Sequence, residues 1–185
     1  MGKTKFKTID IAYIGLMVAV MAVCSWITVP YFAVPFTLQT FAVFVTIGLL
    51  GMERGLIAVL VYIILGLIGV PVFAGFKGGA SVLMGTTGGY IIGFIFSALV
   101  TGLILKKSRK VWVMALAMVL GLIVCYAFGT AWFMVVYAKT KASVGLWTAL
   151  TWCVIPFIIP DLCKIAVAVV ISKRVGKYLN TEVVA

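Results

Sequence analysis

Apolar runs, separated by short basic turns or by stretches bearing glycine and proline, occupy almost the whole of this 185-residue chain. A membrane-crossing helix needs about 20 predominantly apolar residues. The pattern predicts six: Thr8 to Val29, Phe36 to Gly51, Arg54 to Ile68, Thr86 to Leu105, Val111 to Tyr137, and a last one that opens among the prolines at 156–160, at about residue 157, and closes near Lys177. The expected fold is an all-α membrane protein, a single six-helix transmembrane domain over residues 1–185. The first run follows Lys3, Lys5 and Lys7, as a signal peptide would. It is too long for one, no small-x-small site follows it, and Val23 before Cys24 spoils a lipoprotein signal, so it reads as a span.

Composition agrees: 65% of residues are hydrophobic and 10% charged, against about 25% charged in a soluble domain. That excludes a soluble globular enzyme and a disordered chain. The net charge of +11 does not suggest nucleic acid, because the cations sit in short clusters between apolar runs. With no histidine, a Ser-His-Asp relay, a Cys-His pair and a His metal site are all excluded. No stretch reads GxxxxGK[ST], so a nucleotide-binding loop of that type is not expected. Cys24, Cys125, Cys153 and Cys163 lack CxxC spacing and read as small packing residues.

The basic residues predict orientation. Lys3, Lys5, Lys7, Arg54, Lys106, Lys107, Arg109, Lys110, Lys173, Arg174 and Lys177 fall on one side, and Lys77, Lys139 and Lys141 on the other. The positive-inside rule puts both termini in the cytoplasm. The outer connections, Val29 to Phe36, Gly69 to Gly85 and Val144 to Pro160, are apolar and hold or border all five prolines: Pro30, Pro35, Pro71, Pro156 and Pro160. Irregular backbone at membrane depth needs protein or a wet cavity around it, so these stretches read as apolar outer loops capping a ligand pocket. The alternative is lipid-facing half-helices that anchor the bundle.

Asp161 and Lys164 carry the strongest chemical signal. Asp10 and Glu182 read as tail residues and Glu53 as part of a turn, which leaves Asp161 as the acid in an apolar setting, with Lys164 three residues on and on the same helix face. An Asp can accept ligand N–H groups and a Lys can balance a ligand carboxylate. The local alternative makes Pro160 a first helical residue and Asp161 a complement to the helix N-terminus. Gly66 to Gly93 holds nine glycines. Among them the turn with Gly88, Gly89 and Tyr90 reads equally as a ligand contact or as packing, while Gly85, Gly89, Gly93, Ser97 and Thr101 form a small-residue ridge suited to helix packing. Thr37, Gln39 and Thr40 are polar at the outer start of the second segment, as ligand contacts or as helix caps. Trp132 and Trp152 could stack on a flat ligand, whereas Trp26, Trp112 and Trp147 read as an interfacial belt. Gly15 and Ala19, near Ala12 and Ala22, make a small-residue face for packing within the bundle or for docking another protein.

VPFTLQTF at Val34 to Phe41, GVPVFAG at Gly69 to Gly75, GGxxxLxGxTGGYxxGF ending at Phe94 and PFxxPDLxK at Pro156 to Lys164 together resemble the BioY family over nearly the whole chain. Three positions depart from its usual pattern: Thr86 where Pro is common, Gly15-xxx-Ala19 in place of Ala-xxx-Ala, and Ile159-Pro160-Asp161 where Pro-Gly-Asp is frequent. The resemblance implies a non-enzymatic, membrane-embedded biotin-binding S component of an energy-coupling factor (ECF) transporter, in a bacterial or archaeal cell membrane. It implies biotin as the transported ligand, with no cofactor and no metal. The implied partners are a transmembrane coupling subunit and two ATPases. The implied ligand residues are Asp161 for the ureido N–H groups and Lys164 for charge balance or the carboxylate, with Gln39, Thr37, Gly88, Gly89, Tyr90 and Trp132 around them. Gly15 and Ala19 would dock the coupling subunit. A solitary biotin transporter, an S component for another vitamin, an intramembrane enzyme and a structural protein are the rival readings.

Overall fold

The structure is a computed structural model that describes residues 7–29, 34–140 and 143–179. Lys3, Lys5, Pro30, Lys141 and Glu182 lie outside the described residues. The elements in chain order are α1 (Thr8–Trp26), β1 (Thr28–Val29), β2 (Phe36–Thr37), α2 (Gln39–Leu67), α3 (Ala80–Met84), α4 (Gly88–Lys107), α5 (Val111–Thr140), α6 (Leu146–Cys153) and α7 (Ile155–Val175). Among the described residues, five helices are long and apolar enough to cross a membrane: α1, α2, α4, α5 and α7.

The expected second and third segments appear as one helix, α2, with a break. Gly51 has φ 75° and ψ −172°, a conformation essentially reserved for glycine. The break folds α2 into a hairpin. The Gln39 side-chain amide donates to the Tyr62 hydroxyl at 2.6 Å, although those residues are 23 apart in sequence. A straight helix would separate them by roughly 35 Å at 1.5 Å per residue. The two arms press together where Gly55 leaves room for Ile47.

Other boundaries shift. α1 stops at Trp26, because Thr28 and Val29 pair with Thr37 and Phe36 in a two-residue ladder. That ladder closes the first outer connection and moves the start of α2 to Gln39. The connection from Val144 to Pro160 is mostly helical: α6 ends at Val154 (φ −126°, ψ −57°), and α7 starts with Pro156 in its first turn. Pro160 therefore lies inside α7 and is no first helical residue. The small-residue ridge of α4 packs on α5. A Cβ at Gly93 would meet Cys125, and Gly121 makes room for Ser97 and Thr101. Cys24, Cys125 and Cys153 are buried free thiols, and Cys163 is exposed.

Charges gather at one end of the bundle. Asp10, expected in a tail, is 1% exposed in the first turn of α1. Its carboxylate meets Arg54 Nε at 3.0 Å and accepts the Lys7 backbone N–H at 2.9 Å. Lys106 meets Glu53 at 3.1 Å. Arg109 donates to the Gly48 carbonyl at 3.2 Å, and burial lowers the pKa of its guanidinium, which stays charged. The charged hairpin tip is thus tied to α1 and to the α4–α5 turn. Gly51→Ala should destabilise the protein by about 1–3 kcal/mol, since alanine is strained at that φ and ψ. Thermal unfolding in detergent checks this, and an unchanged midpoint would count against the hairpin break.

Candidate functional site

At the opposite end, a cavity of about 390 Å³ opens between the glycine- and proline-bearing connections and α2, α4, α5 and α7. That is within the roughly 300–1,000 Å³ of small-molecule sites. Phe73, Val82, Ile91, Phe94 and Phe157 supply apolar wall, and Thr37, Gln39, Thr40, Thr86, Tyr90, Tyr126, Asp161 and Lys164 supply polar groups.

Asp161 and Lys164 form the polar centre. Their side chains are 3% and 8% exposed, and Lys164 Nζ lies 2.7 Å from Asp161 Oδ1. The second turn of α7 carries the acid, so its partners come from other elements and not from the helix terminus. The Thr40 hydroxyl donates to Oδ1 at 3.1 Å, and the Tyr126 hydroxyl donates to Oδ2 at 2.5 Å. Lys164 also donates to the Thr37 carbonyl at 2.6 Å and to Thr40 Oγ1 at 3.3 Å. All three ammonium protons therefore have acceptors. The ammonium also sits 3.9 Å from the centroid of the Phe36 ring, which stacks on Phe157. Lys164 is a fully engaged counter-charge, while Asp161 Oδ2, with one protein donor, retains acceptor capacity.

A second network holds the cap. The Thr37 hydroxyl donates to Gln39 Oε1 at 3.1 Å, and Gln39 Nε2 reaches the Tyr62 hydroxyl. Tyr62 in turn donates to the Val72 carbonyl at 2.8 Å. Ser25 donates to that same carbonyl at 2.5 Å, and Trp26 Nε1 donates to the Pro71 carbonyl at 2.8 Å. Phe73, fully buried, fills the slot that Gly66 leaves open. Tyr90 enters the cavity wall over Gly129, its hydroxyl 3.0 Å from Thr130 Oγ1.

Five of the expected ligand residues thus share the cavity: Thr37, Gln39, Tyr90, Asp161 and Lys164. Gly88, Gly89 and Trp132 stand behind its wall. A Cβ on Gly89 would overlap Trp132, one on Gly88 would overlap the Leu83 carbonyl, and Trp132 Nε1 donates to the Gly85 carbonyl at 3.0 Å. Gly89 and Trp132 are thus occupied by packing of the turn on α5, and Gly88 by packing on α3. Trp152 turns to Tyr137, ring centroids 6.0 Å apart, and does not stack in the cavity. Gly15 and Ala19 lie apart, on an exposed face of α1, and nothing in the bundle lies within 4 Å of a Cβ built on Gly15. Sequence reasoning missed Tyr126. A phenol in the middle of the long apolar run of α5 was its only trace.

A helical, membrane-capable bundle with a lidded apolar cavity and a buried ion pair in its wall defines a membrane-embedded binder of small molecules. The family profile of the BioY family matches residues 1–181, and the chain belongs to that family. The biotin transporter BioY of Thermotoga maritima is 43% identical over 166 residues, 88% of this chain and 93% of that protein. The probable biotin transporter BioY of Pyrococcus horikoshii is 39% identical over 168 residues, 91% and 96% of the two chains. Among solved structures, the S-component for biotin from an ECF-type ABC transporter superposes with a TM-score of 0.82 at 30% identity, covering 96% of this chain and 95% of that one.

The ion pair yields a stability prediction. Lys164→Met strands a buried carboxylate and should cost about 3–5 kcal/mol. Adding Asp161→Asn should recover part of that loss in thermal unfolding. A double variant no more stable than Lys164→Met alone would contradict the pairing.

Proposed function

We propose that this chain is a biotin-uptake subunit, a transport protein and not an enzyme. It captures biotin in the outer cavity and passes it inward with a coupling subunit and two ATPases. The observation that carries this reading is Asp161 on the cavity wall, paired with Lys164 and accepting hydrogen bonds from Thr40 and Tyr126. Biotin has an apolar body, a ureido ring with two N–H donors and one carbonyl, and a carboxylate. Asp161 accepts the ureido N–H groups, and Lys164 is its counter-charge. Gln39, Thr37 and Tyr90 offer polar contacts to the same ring, while Gly88, Gly89 and Trp132 shape the wall. The biotin named in the relatives supports the ligand class.

Six spans follow if each arm of the α2 hairpin counts as one. The charges at one end of the bundle support a cytoplasmic position for that end and for both termini. The exposed Gly15 and Ala19 face of α1 supports docking of a coupling subunit by close helix approach.

Asp161→Asn should weaken biotin binding in detergent about ten- to hundredfold, the weight of roughly 1.5–3 kcal/mol for a hydrogen bond to a charged group. Calorimetric titration reads this, and unchanged affinity removes Asp161 from the site. Gly15→Leu should abolish copurification with the coupling subunit while sparing biotin binding. A complex that survives the substitution rules out that docking face.

A further inference from the structure

Among the described residues, two cations line the cavity, Lys164 and Lys77. They are in opposite chemical states. Lys164 is buried, and each of its three protons has an acceptor within the protein. It can take a ligand carboxylate only by giving up a bond that holds the site together. Lys77 is exposed at the rim, and no hydrogen bond or ion pair engages its ammonium among the described residues.

The fold holds Lys77 there deliberately tightly. Residues 73–77 form a small hairpin, in which the Phe73 N–H donates to the Lys77 carbonyl at 2.9 Å and the Lys77 N–H to the Phe73 carbonyl at 3.3 Å. Gly75 (φ 69°) and Phe76 (φ 57°) make its turn. Phe73 anchors one side in the slot beside Gly66 and Tyr62, and Phe76 anchors the other by stacking on Trp26, centroids 4.9 Å apart. Little freedom remains for the backbone that carries the lysine.

We propose that Lys77 receives the terminal carboxylate of the ligand. This rests on the biotin reading above and assigns a residue to the end of the molecule that Lys164 has no free donor for. Electrostatics sets the direction. The Asp161 carboxylate repels another carboxylate and attracts N–H donors, so the ligand's ureido end goes inward and its acid end points to the rim. An ammonium at the rim meets that acid while both remain partly hydrated, which limits the desolvation cost. Lys77 thus selects for an acidic tail, and Asp161 for a ureido head.

The test is calorimetric binding to the full chain in detergent, with biotin and with its neutral terminal carboxamide. Wild type should bind biotin about tenfold more tightly than the amide, a step typical of one charge-assisted contact. Lys77→Gln should lose that preference by weakening biotin alone. Lys77→Glu should favour a biotin derivative ending in an ammonium group. Equal weakening of biotin and amide by Lys77→Gln would assign Lys77 to hairpin packing and overturn the proposal. So would a wild type that binds both ligands equally, although the biotin reading would then stand. A wild type that binds neither overturns both.

Discussion

A carboxylate and an ammonium removed from water inside hydrocarbon are stable only when nearly every lone pair and proton finds a partner. Asp161 and Lys164 meet that condition through groups far apart in the chain: Thr37 in β2, Thr40 at the start of α2, and Tyr126 in α5. The pair therefore dictates how the ladder, α2, α5 and α7 meet. The cavity is the space those elements leave above it. Unsatisfied polar groups would be costly at that depth, so the wall around the pair is determined within narrow limits.

The two ends of the bundle solve different problems. The cap over the cavity is apolar, and side-chain donors from the helices secure its irregular backbone: Ser25 and Tyr62 on the Val72 carbonyl, Trp26 on Pro71, Trp132 on Gly85. These bonds let non-helical chain lie over the bundle without exposing carbonyls to lipid. The opposite end uses ions, with Asp10 on Arg54, Glu53 on Lys106, and Arg109 over the last turn before Gly51.

The departures from the family's usual motifs fall where the structure accommodates them. Thr86 lines the cavity and adds a hydroxyl to its rim. Gly15 sits on the open face of α1, where glycine and alanine differ by one methyl group. Pro160 falls inside α7, close enough to its start that few backbone bonds are at stake, and Asp161 still faces Thr40 and Tyr126.

Hydrophobic runs and clustered cations were enough to read a membrane bundle, its approximate segments and the Asp161–Lys164 pair, because burial in lipid demands long apolar stretches and makes an acid among them conspicuous. Motif order pointed to the family. Distant contacts decided the rest. Asp10 resembled a tail residue until Arg54, 44 positions on, was folded against it. Tyr126 and Thr40 became partners of Asp161 only when three helices converged. Gly89 is covered by Trp132 and Gly88 by Leu83, contacts that depend on how α4 lies against α5 and α3. Local chemistry is written along the chain, whereas the partner that completes a buried charge, or blocks a glycine's access to a ligand, is set by the path of backbone far away in sequence.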